Sequence, residues 1–149
     1  MRRVYLVDTN VISAGAPSKA SASAALVDWM DAHSAALFLS AVTVAEVADG
    51  IAKARREGAA RKAAALSGWL DTLLHLYRDR ILAFDVAVAR VAGTLSDAAR
   101  GQGQAPGFAD IVIAATARHH GLTILTRNIR HFAPLGVAVF DPFRALPQA

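Results

Sequence analysis

The chain has 149 residues, a formal net charge of +4 and no cysteine. This length suits one domain with a buried core, and no apolar run reaches the ~20 residues that a membrane-spanning helix needs. Without cysteine there is neither a disulfide nor thiolate chemistry, so a bound metal would need oxygen or histidine ligands. The small basic excess is compatible with an anionic partner such as nucleic acid, and the composition predicts a cytoplasmic protein.

Hydrophobic periodicity predicts alternating strands and helices. In chain order the pattern predicts a strand at 4–7, a helix at 23–33, a strand at 37–40, helices at 43–56 and 60–77, a strand at 81–84, helices at 86–99 and 108–120, and strands at 123–126 and 137–140. A polar, Gly-rich loop is expected at 101–107. Strands separated by helices imply a parallel sheet covered on both faces. The sequence therefore predicts the α/β class, with one domain spanning residues 1–149.

Three carboxylates lie at the ends of predicted elements. Asp8 follows the first strand, Glu46 lies in the first turn of the helix after the second strand, and Asp110 lies in the first turn of the helix after the Gly-rich loop. In a parallel sheet, helix N-termini share an edge with the carboxyl ends of strands. All three side chains are therefore expected to point into one cleft.

Each carboxylate also has a local explanation. Asp8 could form an Asx turn, Thr43-x-x-Glu46 fits a capping box, and Asp110 suits the positive end of a helix dipole. Asp85 is a useful comparison, because it also follows a strand but is expected to act only as an N-cap. Asp110 has apolar neighbours in the sequence, and an unpaired buried carboxylate is costly. The three together therefore predict a divalent-metal site.

Several segments also resemble those of a known family. Residues 7–11, 43–47, 109–115, 125–128 with Phe132, and 136–143 resemble the successive motifs of PIN-domain proteins, in particular the VapC/FitB-like toxins of bacterial toxin–antitoxin pairs. Asp8, Glu46 and Asp110 match the acidic positions of that family one by one. The resemblance implies a PIN-like fold and an Mg²⁺- or Mn²⁺-dependent endoribonuclease in which these three residues are catalytic and bind the metal.

The resemblance also implies partners. It predicts an RNA substrate, a small cognate antitoxin of the VapB/FitA kind that inhibits the toxin, and a homodimer. Operator DNA would be contacted only through the antitoxin, and no membrane partner is expected.

The sequence departs from the family pattern at the last polar motif. Many relatives carry a further acidic residue near the end of the fourth core strand, where this chain has Asn128. An amide oxygen can contact a metal or its water but adds no negative charge, so a second metal would be held weakly. Thr126, Arg127 and Arg130 are the candidates for binding the substrate phosphate, because they lie where that strand ends.

The residue types predict the chemistry at such a site. Carboxylate oxygens are ligands that Mg²⁺ and Mn²⁺ prefer, and no Ser–His or Cys–His pair indicates a covalent nucleophile. His33, His75 and His131 are expected to be surface residues. His119 and His120 are expected to end a helix, where cations suit the dipole.

Other functions remain possible on sequence alone. A receiver domain of a response regulator shares the alternating layout but requires an acidic pair after the first strand and a later lysine, which are missing. A haloacid-dehalogenase-type phosphatase requires an aspartate at the position of Asn10. The main alternative is a catalytically inactive PIN-like module that binds RNA or protein, which Asn128 would favour.

Overall fold

Five short parallel strands form the centre of the molecule. The computed structural model describes residues 3–17 and 24–148. The strands are β1 (Tyr5–Val7), β2 (Leu37–Ser40), β3 (Ile81–Leu82), β4 (Thr123–Leu125) and β5 (Val139–Phe140). Their order in the sheet is β3-β2-β1-β4-β5, and every pairing is parallel. The predicted α/β class with a central parallel sheet is confirmed.

Helices cover both faces of the sheet. They are α1 (Thr9–Ile12), α2 (Ala24–Ala32), α3 (Ala41–Arg56), α4 (Ala60–Tyr77), α5 (Val86–Gly101), α6 (Phe108–His120) and α7 (Ile129–Phe132). Residue 23, where the first predicted helix begins, lies outside the described residues; that helix corresponds to α2. Within them, no helix has the length and hydropathy that crossing a bilayer requires.

The alternation of side chains along β1 divides the core into two. Leu6 packs on the α5–α6 side with Val88 and Ile113. Tyr5 and Val7 face the other side, where α1, α2 and α4 pack. Since successive side chains of a strand point to opposite faces, a central strand must be apolar throughout. This accounts for the uninterrupted apolar sequence of β1.

Two predicted boundaries were wrong for identifiable reasons. The third strand ends at Leu82 rather than at residue 84, because its partner β2 ends at Ser40, which pairs with Leu82. Helix α3 begins at Ala41 rather than at Thr43, because the Ser40 side chain accepts a hydrogen bond from the amide of Val42. The segment between the first strand and α2, for which no element was predicted, contains the four-residue helix α1.

The strand order reverses beside β1. Chain connections run from β1 outward to β2 and β3, and the chain then returns to place β4 on the other side of β1. In open α/β sheets, ligands bind beyond the carboxyl ends of the strands at such a switch point. This edge therefore carries the cleft described below.

Asp85 acts as the N-cap of α5, as predicted, and accepts a hydrogen bond from the amide of Val88 at 3.0 Å. We expect Asp85→Ala to lower the free energy of unfolding by about 1 kcal/mol, because the Val88 amide loses this acceptor. Urea titration would measure the change. Asp97→Ala, at an exposed position of the same helix, is the matched control and should change stability by less than about 0.5 kcal/mol. Equal effects of the two substitutions would contradict the capping role.

Candidate active site

A cleft of about 800 Å³ opens at the switch point between β1 and β4. The polar side chains that line it are Asp8, Thr9, Asn10, Ser13, Glu46, Asp110, Arg127, Asn128 and His131. Its aromatic side chain is Phe143. The structure thus brings the three carboxylates selected from the sequence to one place, although they come from three separate parts of the chain.

Asp8 is the most buried of these acids, at 5% exposure. Its backbone amide donates to the carbonyl oxygen of Leu125 at 2.9 Å, which joins the end of β1 to β4. Its Oδ1 accepts from the amide of Thr9 at 2.8 Å and so caps α1. Its Oδ2 accepts from the hydroxyl of Thr126 at 2.8 Å. The local turn role and the position in the cleft therefore occur together.

Glu46 is held by a residue from another element. Its Oε1 accepts a hydrogen bond from the Thr9 hydroxyl at 2.6 Å. The predicted capping box is wrong, because α3 begins two residues before Thr43 and that side chain is buried inside the first turn. Thr9 therefore links the α3 carboxylate to the turn that carries Asp8.

Asp110 lies in the first turn of α6, where the helix dipole favours a carboxylate. Its Oδ2 is 3.3 Å from Nδ1 of His131 on α7. The prediction that His131 is an ordinary surface residue was incomplete, since this partly exposed imidazole lines the cleft. The contact depends on how α7 packs beside α6, which no local pattern in the sequence shows.

No lysine or arginine in the described part of the chain forms an ion pair with the three acidic side chains of the site. Among the described residues, the only salt-bridge contact made by Asp8, Glu46 or Asp110 is the one between Asp110 and His131. Burial raises the pKa of Asp8, and the charge of Asp110 raises it further, against the lowering effect of the bonds from Thr126 and Thr9. Burial also raises the pKa of Asp110, where His131 lowers it and Glu46 raises it.

The donor set fits a hard divalent cation. Carboxylate oxygens that repel one another and lack a lysine or arginine partner are stabilised when a cation binds between them. As the side chains stand, however, no three Asp, Glu or His residues in ranges 3–17 and 24–148 have the spacing to hold one ion. Binding would therefore require the carboxylates to turn toward each other, and their metal and catalytic roles stay predictions.

The three predicted substrate-binding residues lie in different surroundings. Arg127 lines the cleft, as does Asn128, which was predicted as a weak metal contact. Thr126 is fully buried and donates its hydroxyl hydrogen to Asp8. It therefore does not face the cleft, although a residue that contacts the substrate was expected to do so. Arg130 is exposed but is not part of the lining. The predicted contacts of Thr126 and Arg130 with a substrate are therefore not supported by their positions.

Two further residues line the cleft, and the sequence alone assigned neither of them a role in it. Asn10 joins both sides of the cleft, since its Nδ2 donates to Asp8 at 3.3 Å and its Oδ1 accepts from the amide of Arg127 at 3.2 Å. Phe143 belongs to the C-terminal motif, and the guanidinium of Arg127 lies 3.8 Å from the centre of its ring. The position of Asn10 two residues after Asp8 was a usable signal, and the signal for Phe143 was its place in the C-terminal motif.

An acidic cleft at the switch point of a five-stranded parallel sheet defines an α/β protein with a candidate metal-dependent site. A family model identifies the class of protein more closely: residues 5–135 match the PIN domain. The chain belongs to the PIN domain family.

The amino-acid sequence is similar to those of several named proteins. The chain is 37% identical over 142 residues to Toxin FitB of Neisseria gonorrhoeae, covering 94% of this chain and 99% of that protein. It is 35% identical to the plasmid stability protein StbB of Pseudomonas syringae pv. tomato, covering 95% and 100%. It is 34% identical to the VapC ribonuclease Y4jK of Sinorhizobium fredii, covering 94% and 98%.

Solved structures agree with these similarities. FitAcB from Neisseria gonorrhoeae superposes with a TM-score of 0.80 at 36% identity, covering 94% of this chain and 99% of that chain. FitAB bound to an IR36 DNA fragment gives a TM-score of 0.77 at 34% identity, covering 94% and 96%. VapBC2 from Rickettsia felis, at 20% identity and a TM-score of 0.72 over 92% and 97%, shares the fold.

The raised pKa values of Asp8 and Asp110 predict an unusual dependence of stability on pH. The metal-free folded protein binds these protons more tightly than the unfolded chain, so the free energy of unfolding contributed by the two groups falls as pH rises. The fall begins near the unfolded carboxyl pKa of about 3.9 and continues through the raised folded values. Asp110→Asn removes the contribution of Asp110 to this pH dependence of the free energy of unfolding. With chelator, this variant should therefore resist urea better than the wild type at neutral pH and equally well at low pH.

The exposed Asp97 supplies the control, because Asp97→Asn should not reproduce that pH-dependent gain. If Asp110→Asn unfolds well below the wild type at neutral pH, the helix-stabilising role of the carboxylate outweighs charge repulsion in the cleft.

Proposed function

We propose that the protein is the toxin of a toxin–antitoxin pair and acts as a divalent-metal-dependent endoribonuclease. The observation that carries the proposal is the meeting of Asp8, Glu46 and Asp110 in one cleft without a lysine or arginine pairing with any of them in the described part of the chain. Membership of the PIN domain family and similarity to proteins named FitB toxin and VapC ribonuclease support it.

Asp8, Glu46 and Asp110 would hold Mg²⁺ or Mn²⁺, with Asn128 as a weaker neutral contact. The ion would lower the pKa of a bound water and neutralise the charge that builds up on phosphorus during hydrolysis. Within the part of the chain that the structure describes, the oxygens of Asp8 and Glu46 accept hydrogen bonds from neutral donors only. Thr126, Thr9 and Asn10 orient the carboxylates without cancelling their charge.

A small antitoxin is the proposed partner. The solved relatives include FitAB bound to a DNA fragment and VapBC2 bound to a DNA fragment from its promoter. By analogy, the antitoxin of this protein would inhibit the nuclease and would make the contact with operator DNA. The predicted homodimer and the cytoplasmic location stay predictions.

Purified protein should cleave single-stranded RNA with Mg²⁺ or Mn²⁺ and stop doing so with chelator. Asp110→Asn should abolish cleavage, because it removes one carboxylate charge from the proposed metal site while keeping the size of the side chain. Gel analysis of a labelled RNA would measure both effects.

Asp85→Ala is the matched control, since Asp85 caps a helix outside the cleft lining and the variant should remain active. Cleavage that persists in chelator would contradict the metal requirement. RNA binding without cleavage under any metal would instead favour the inactive RNA-binding module.

Asn128 sets the expected number of metals. It lines the cleft, and none of the hydrogen bonds found among the described residues involves its side-chain amide. Three carboxylates give the site a formal charge of −3, so one ion should bind well and a second only when the phosphate of RNA adds negative oxygens. Calorimetric titration with Mn²⁺ should show one tight site in the free wild type.

Asn128→Asp should strengthen a second Mn²⁺ site without RNA, because it adds one negative charge. Two equally tight ions in the free wild type would refute this account. If Asn128→Asp leaves the titration unchanged, residue 128 does not contact the metal.

A further inference from the structure

Arg127 is the one lysine or arginine among the described residues that line the acidic cleft. Its surroundings carry the charges of Asp8, Glu46 and Asp110, which attract a guanidinium. Nevertheless, none of the ion pairs found in residues 3–17 and 24–148 involves Arg127. Something other than a carboxylate holds this side chain.

The ring of Phe143 supplies that contact. The central carbon of the Arg127 guanidinium lies 3.8 Å from the ring centroid, well within the range of a cation–π interaction. A guanidinium that lies over an aromatic face keeps its five N–H groups available at its edge. An ion pair would instead occupy both the N–H groups and the carboxylate oxygens.

Both partners in this contact are anchored. The amide of Arg127 donates to Asn10, and the preceding residue Thr126 is buried against Asp8. The amide of Phe143 donates to Oδ1 of Asp141 at 2.9 Å, and its side chain packs against the core cluster that contains residues of α1 and α2. The position of the guanidinium is therefore set by fixed backbone on one side and a fixed ring on the other.

We propose that Phe143 is a positioning residue that holds Arg127 away from the cleft carboxylates and presents its guanidinium to an RNA phosphate. The fork of N–H groups matches two phosphate oxygens. The inference rests on the proposed function for the identity of the phosphate-bearing ligand, while the contact between ring and guanidinium is independent of it. Phe143 itself would touch no reacting atom.

Binding of a fluorescently labelled single-stranded RNA, measured in chelator so that no cleavage occurs, tests the proposal. Arg127→Gln should weaken binding roughly tenfold or more. It should also reduce the slope of log affinity against log salt by about 0.7, as expected for one lost phosphate contact. Arg90→Gln is the matched charge control: Arg90 is exposed on α5, does not line the cleft, and should leave the affinity close to that of the wild type.

Phe143→Leu should weaken binding about two- to fivefold, the effect of losing a partly exposed cation–π contact. Phe143→Tyr keeps an aromatic face and should bind like the wild type. The decisive measurement is the double variant, because a residue that acts only through Arg127 has no further effect once Arg127 is replaced. Phe143→Leu should therefore change nothing in the Arg127→Gln background.

Equal losses from Phe143→Leu in both backgrounds would overturn the proposal, since the ring would then act on RNA or on the fold directly. The absence of any loss in the wild-type background, or a loss in Phe143→Tyr as large as in Phe143→Leu, would overturn it as well. Failure of the nuclease proposal looks different. RNA binding with the expected coupling, but no cleavage with Mg²⁺ or Mn²⁺, would remove the enzymatic activity and leave the positioning role supported.

Discussion

The burial of the Asp8 carboxylate is the constraint on which the rest of the site depends. A carboxylate at 5% exposure must have its oxygens satisfied. Here one oxygen caps α1, and the other accepts from the hydroxyl of Thr126 at the end of β4. These bonds tie the turn after β1 to the turn after β4 across the switch point. Because the donors are neutral, they orient the carboxylate and leave its negative charge in place.

The same arrangement extends to the neighbouring acids. Glu46 is held by the Thr9 hydroxyl, and Asp110 contacts the imidazole of His131. An arginine paired with either carboxylate would instead neutralise its charge and occupy the proposed cation site. The raised pKa values of Asp8 and Asp110 reflect the burial of these carboxyl groups beside other acidic side chains. By linkage, ionising these groups costs stability at neutral pH, and an ion bound at the proposed site would offset that cost.

The sequence predicted what local patterns determine and missed what packing determines. The central strands and the five long helices follow from apolar periodicity, and Asp8, Glu46 and Asp110 could be grouped because strand ends and helix starts share one edge of a parallel sheet. The end of β3 depends on the length of its partner strand, and the role of Thr126 depends on a hydroxyl that meets Asp8 from a distant part of the chain. His131 and Phe143 reach the cleft through α7 and the C-terminal segment, whose positions follow only from the assembled core.

That C-terminal segment shows why family membership does not describe the whole site. The match to the PIN domain ends at residue 135, but β5 at Val139–Phe140 extends the sheet beside β4, and Phe143 beyond it lines the cleft. The acidic residues and their supports lie within the matched region and give the site its charge. The aromatic ring beyond it governs how the one guanidinium found in the cleft lining is presented. Within this cleft, the acidic residues proposed to bind a metal and the aromatic residue proposed to orient a basic side chain are therefore supplied by different stretches of the chain.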